Sequence, residues 1–256
     1  MSDPNSSLYG EQPQVPDSKT PDLLDQITGV FMEPKALFTR LRNRPSWLPA
    51  LATAVIIGLI AMLIWAAKVD LAESTRHQME RTRAVFHVKI PDEAMDEAIS
   101  KADGKHPWFS ATSGAVLGTP FIYLVVGLIV WGCGSMGTEE GEDRPTFGQA
   151  FSVTSVHYLT TLPSMFLAGF IALLRPVGGA QIQVLMPTTL SFYVQPSSEV
   201  ARALVALVDP LWLFSFFVLA QGMRHTLKSK PWAIALCLGI FAVFGGGFRM
   251  LGGLFQ

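Results

Sequence analysis

Charge is scarce in this chain. Only 15% of its 256 residues are Asp, Glu, Lys or Arg, whereas 50% are hydrophobic. A soluble domain is usually about a quarter charged. The formal net charge is −1, which argues against a basic protein that binds nucleic acid. This balance indicates a protein whose apolar side chains face lipid.

Cysteine and catalytic motifs are also scarce. The two cysteines, Cys133 and Cys237, form no CxxC pair, and no histidines stand at metal-ligand spacing, so a disulfide framework or a zinc site is not indicated. Both cysteines are predicted to be small apolar packing residues. No HExxH and no glycine-rich phosphate loop occurs, and Cys133 stands where a nucleophile turn around Ser135 needs glycine. The sequence therefore predicts no enzyme, no cofactor and no metal.

What the chain has instead is long apolar runs. Five of them approach or exceed the length that crosses a hydrocarbon core roughly 30 Å thick, at residues 47–67, 111–132, 148–174, 203–221 and 232–251. The predicted fold class is therefore all-α, a polytopic bundle of five transmembrane helices that occupies residues 46–256. The first 46 residues lack a basic region followed directly by an apolar core, so we expect the first span to act as its own insertion signal.

The N-terminal region is predicted to have two parts. Residues 1–21 are polar and rich in proline and serine, which is typical of a disordered tail. Residues 22–45 carry apolar residues at helical spacing, interrupted by Pro34, and predict two amphipathic interfacial helices. A basic cluster lies near their end: Lys35, Arg40, Arg42 and Arg44. Either the helices pack on the cytoplasmic face of the bundle, or the cluster recognises anionic lipid.

The segments between the spans carry further expectations. Residues 68–105 predict a charged extramembrane cap with helical parts. The apolar pieces Ile182–Leu185 and Leu190–Val194 are too short to span and predict a lid or a re-entrant segment. In the second span, Gly114 and Gly118 are spaced for close packing against another helix.

The distribution of basic residues predicts the orientation. Nine Lys or Arg residues fall on the side of the N-terminus, whereas only Arg175, Arg202 and Arg249 fall on the other side outside the long first loop. Positively charged short loops remain in the cytoplasm. We therefore expect an N-terminus in the cytoplasm, a C-terminus outside, and residence in a bacterial inner membrane.

One acid lies inside the fourth predicted span. At 1.5 Å per residue, His157 and Asp209 lie roughly 13 Å and 18 Å from the cytoplasmic face, so the two side chains are expected to be able to meet. One interpretation is structural, with Asp209 accepting hydrogen bonds from His157, Tyr158, Thr160 or Thr161. The others are a proton- or ion-linked site, or contact between Asp209 and a neighbouring subunit.

Three stretches together resemble a known family. They are ITGVFMEPKALFTRLRNRPSWL, TFGQAFSVTSVHYLTTLP and VDPLWLFSFFVLAQGMRHT. In this order they look like the prokaryotic branch of the Yip family of Rab/Ypt-interacting membrane proteins, over Asp22 to Gly253. The resemblance implies a five-helix membrane domain without known catalytic chemistry, with Asp209, Trp212 and Gly222 at positions typical of bacterial members. The Asp-Leu-Tyr-Gly-Pro stretch of the eukaryotic relatives is missing, so a Rab partner does not follow.

Three functional hypotheses follow. The first is a non-enzymatic helix-packing partner or accessory subunit of a membrane assembly, motivated by the small-residue faces at Gly114 and Gly118 and near the chain end. The second is a small transporter or channel that uses His157 and Asp209. The third is an anionic-lipid-binding or membrane-organising protein that acts through its basic cluster. The expected partners are membrane lipids and other integral membrane proteins or a second copy, and no nucleic acid.

Overall fold

The computed structural model describes residues 19–174, 177–178, 186–194 and 198–254. Within these ranges the chain is α-helical, with isolated bridges at Val69–Gly178 and Thr138–Ser229. The helices are α1 Leu23–Met32, α2 Pro34–Asn43, α3 Leu48–Lys68, α4 Leu71–Phe86, α5 Asp92–Ala102, α6 Trp108–Ser113, α7 Thr119–Met136, α8 Phe147–Tyr158, α9 Leu162–Leu174, α10 Glu199–Val205, α11 Pro210–His225 and α12 Pro231–Leu254. The all-α class is confirmed. The predicted segments 1–18 and Ile182–Leu185 lie outside the described residues.

In the described part of the chain, three helical stretches are long and apolar enough to cross a membrane. They are Leu48–Lys68, Trp108–Met136 and Phe147–Leu174. The second joins α6 to α7 through a wider π turn at Gly114–Gly118. The third joins α8 to α9 through a 3₁₀ turn at Leu159–Thr161, two residues before Pro163. The apolar part of α12, Pro231–Gly247, is shorter than these three stretches. The arrangement of five crossings therefore stays a prediction.

The fourth apolar run differs from the continuous span predicted at 203–221. Helix α10 ends at Val205 and α11 begins at Pro210, so residues 206–209 separate two helices. Proline disfavours a helical conformation in the residue before it but fits the first turn of a helix. Asp209 is accordingly extended, with φ −138° and ψ 108°. The acid therefore caps a 16-residue helix instead of lying within a longer one.

The core forms around α8, whose residues from Ala150 to His157 are buried. Helix α2 buries Leu37, Phe38 and Leu41 and packs against α8 and α11. The Thr226 hydroxyl after α11 donates a hydrogen bond of 2.7 Å to the Phe38 carbonyl oxygen. Protein covers the apolar face of α2, which favours the first interpretation of the amphipathic segment, packing on the bundle.

One glycine permits this packing. A Cβ atom at Gly222 would overlap Val153 and lie 3.1 Å from the Phe38 ring. Because packed interiors tolerate little added volume, the approach of α11 to α8 and α2 depends on the missing side chain.

We predict that Gly222→Val lowers the free energy of unfolding by about 1–3 kcal/mol, the usual cost of overpacking a core. Thermal unfolding in detergent micelles measures the change. Gly239→Val is the matched control, because Gly239 is a helical glycine with no atom within 4 Å of its would-be Cβ. Equal melting temperatures for the two variants would contradict the packing described.

Candidate functional site

Asp209 caps the N-terminus of α11 with a buried carboxylate. The side chain is 1% exposed. Its Oδ1 accepts hydrogen bonds from the backbone N–H groups of Leu211, at 3.0 Å, and Trp212, at 3.3 Å. The first turn of a helix has unpaired N–H groups and a partial positive charge. The start of α11 therefore supplies the carboxylate with two N–H donors.

Arg249 near the end of α12 supplies the opposite charge. Its Nη1 lies 3.1 Å from Oδ2 of Asp209, and its guanidinium group lies over the Trp212 ring, 5.0 Å from the centroid. One buried acid thus joins the start of α11 to the end of α12. The sequence prediction pairs Asp209 with His157 and its neighbours, not with Arg249. A signal for Arg249 was present, because it is the only charged residue in the predicted span 232–251 and an ionisable residue inside a span calls for a partner.

His157 lies on α8 among aromatic rings. It is 3% exposed and makes edge contacts with Tyr158, at 4.8 Å between centroids, and Phe241, at 5.7 Å. Its Nδ1 has no hydrogen-bond partner among the described residues. The hydroxyls of Thr160 and Thr161 donate to backbone carbonyl oxygens of their own helix. In the described part of the chain, none of these side chains hydrogen bonds to Asp209, whose partners are Arg249 and the start of α11.

His157 and Arg249 nevertheless line one cavity. Its volume is about 270 Å³, and its other polar lining residues include Thr161, Ser164 and Ser215. An apolar groove of about 520 Å³ lies beside it, lined by residues of α7 and α12. The groove is within the usual size of ligand sites, about 300–1,000 Å³. This arrangement of donors and apolar walls is suited to binding.

The basic cluster on α2 is partly neutralised by the protein. Arg40 Nη2 lies 2.9 Å from Oδ2 of Asp25, and Arg42 forms an ion pair with Glu142 in the loop before α8. Lys35 and Arg44 are exposed and form no ion pair within the described ranges. Half of the predicted lipid-facing cluster thus forms ion pairs within the protein, Arg40 with α1 and Arg42 with the loop before α8.

Gly114 and Gly118 lie on the π turn before α7. No atom of the described protein lies within 4 Å of a Cβ built at either position, so neither glycine makes a close helix contact within the chain. Among the described residues, no group of three His, Cys, Asp or Glu side chains comes together in a way that could hold a metal ion.

Comparison with known proteins gives one match. A family model described as the Yip1 domain matches residues 28–250. This range includes the second half of α1, all helices from α2 to α11, and α12 as far as Met250, so the ion pair lies inside it. No curated protein and no solved structure matches the chain.

We predict that Asp209→Asn lowers the free energy of unfolding by about 3 kcal/mol, because it leaves Arg249 without a counter-charge while retaining an oxygen that can cap α11. Unfolding by denaturing detergent in mixed micelles measures this loss. Asp143→Asn, at an exposed loop position, is the control and should change stability by less than about 0.5 kcal/mol. In a double-mutant cycle with Arg249→Gln, strictly additive effects would contradict the ion pair.

A second prediction concerns pH. Hydrogen bonding to Arg42 lowers the pKa of Glu142, so the folded state binds this proton more weakly than the unfolded state. The stability from this pair is complete above the ordinary pKa of glutamate and is lost as pH falls through the lowered pKa. We expect the difference in melting temperature between the natural protein and Glu142→Gln to disappear at low pH.

The control for this pH profile is Glu139→Gln, which removes an exposed acid of the same loop. Its difference in melting temperature from the natural protein should be small at every pH. A Glu142→Gln difference that stayed constant from neutral to acidic pH would show that the pair contributes no charge-dependent stability.

Proposed function

The chain belongs to the Yip1 domain family, and from that premise we propose that it is a non-enzymatic accessory subunit that binds other membrane proteins by helix packing. The family is one of non-enzymatic membrane proteins. The apolar helices and the family together make this an integral membrane protein. The observation that carries the accessory role is the open small-residue face at the start of α7.

This face lies opposite a side that the chain itself uses. Helix α6 and the π turn pack against α3 and bury Ala111 and Ala115. Gly114 and Gly118 lie on the open side, with no atom within 4 Å of their would-be Cβ atoms. Small residues let helix backbones approach closely in lipid, and π turns are frequent at functional sites. These observations support docking of a partner helix here.

The contacts among loops support the proposed orientation in a bacterial inner membrane with the N-terminus in the cytoplasm. Thr226 after α11 bonds to α2, Arg42 pairs with Glu142, and Thr138 bridges to Ser229. The basic residues of α2 and of the turn between α11 and α12 therefore gather at one end of the bundle. The positive-inside rule assigns that end to the cytoplasm.

A proton- or ion-linked transporter based on His157 and Asp209 is the second candidate. The buried Nδ1 of His157 without a partner and its place on the cavity wall favour it. The partners of Asp209 weigh against it, because they are Arg249 and two backbone N–H groups and do not include His157. For lipid recognition by the basic cluster, the exposed cations are Lys35 and Arg44, since Arg40 and Arg42 form ion pairs within the protein.

We predict that Gly114→Leu combined with Gly118→Leu lowers recovery of the partner about tenfold, equivalent to about 1.4 kcal/mol, since two large side chains hold the helices apart. Tagged full-length protein would be extracted gently and its copurifying membrane proteins identified by mass spectrometry. The fold should persist, because no described atom lies within 4 Å of a Cβ built at either position.

The control is Gly239→Leu, which adds the same side chain to an exposed glycine of α12. It should leave copurification unchanged. Recovery of a stable lone monomer from the natural protein under gentle extraction would count against the accessory role.

A further inference from the structure

The polar cavity and the apolar groove share part of their walls. Tyr158, Phe241 and Gly245 line both of them, so the two adjoin along α8 and α12. Arg249 and His157 belong to the cavity alone, whereas the residues of α7 belong to the groove alone. A ligand that filled both would need a polar end and an apolar end.

The polar end has hydrogen-bond donors to spare. An arginine carries five N–H donors, and the one ion pair of Arg249 in the described part of the chain is made through Nη1 to Asp209. His157 is buried, lines the same cavity and has an Nδ1 without a partner. A buried polar group left without a partner is costly. Ligand oxygens placed here would accept from Arg249, and His157 lies on the wall beside them.

The charges at this end favour an anion. Among the described residues that line the cavity, Arg249 is the only charged one. Its counter-charge, Asp209, is shared with the N-terminus of α11, which carries roughly half a positive charge. The positive charge of the guanidinium group and the helix terminus together therefore exceeds the single negative charge of the carboxylate. Arginine also binds phosphate oxygens with good geometry.

The apolar end opens to the side of the bundle. The groove is lined by α7 residues such as Phe121 and Val125 and by α12 residues such as Ile240 and Phe244. Phe121 and Phe244 are 64% and 63% exposed, so the mouth of the groove lies on the surface that faces hydrocarbon. A lipid chain can enter there directly. A partner helix, about 10–12 Å wide with its side chains, would leave the polar cavity unfilled.

We propose that this space binds one membrane phospholipid with an anionic head group, its phosphate at Arg249 and His157 and one acyl chain in the groove between α7 and α12. Gly114 and Gly118 line neither space. The lipid site is thus independent of the proposed accessory role, and either can fail alone.

The test is native mass spectrometry of the delipidated full-length protein with added phosphatidylglycerol, phosphatidylcholine or oleate. We expect preferential retention of phosphatidylglycerol, weakened about tenfold by Val125→Trp, which fills the groove. Leu128→Trp is the matched control, because Leu128 is an exposed α7 residue that does not line the groove, and it should bind as the natural protein does.

The head-group contact is tested by Arg249→Gln together with Asp209→Asn. The double change removes both charges, so no unpaired ion is left to unfold the protein, and retention of phosphatidylglycerol should again fall about tenfold. Equal retention of phosphatidylglycerol and phosphatidylcholine, or binding insensitive to both sets of changes, would overturn the proposal. Preference for oleate, or a second copy or another protein found in the groove, would overturn it as well.

Discussion

A buried carboxylate needs positive charge or N–H donors close to it, and Asp209 has both. Pro210 starts α11 and sets the acid on the helix end, where two backbone N–H groups reach it. Arg249 then completes the neutralisation from α12. The two helices are separated by a charged turn in the sequence, yet they are joined at their far ends by this one ion pair. The position of α12 relative to α11, and hence the wall of the cavity, depends on it.

The opposite end of the bundle is held by different means. Helix α2 lies against α8 and α11 through buried apolar side chains, the absence of a side chain at Gly222 and a hydrogen bond from Thr226. The ion pair of Arg42 with Glu142 adds a link to the loop before α8. Basic residues of the amphipathic segment thus act within the protein, and fewer of them are left to meet a charged membrane surface.

Between these two ends the protein contains space that its own side chains do not fill. A membrane bundle without a ligand would be expected to pack its interior closely, but this one retains a polar cavity beside an apolar groove. The side chains around them offer hydrogen bonds, one cation and hydrocarbon walls.

The sequence by itself determined the all-α class, the apolar helices and the family, because hydrophobic length and local motifs are properties of short stretches. It also marked Asp209 as a charge that needs a partner. Only the tertiary structure decided that Arg249 is this partner and that His157 lies among aromatic rings, because both contacts join residues far apart in the chain. Residue spacing gives an expected depth along a helix, but rotation about the helix axis, which decides what a side chain touches, is set by packing.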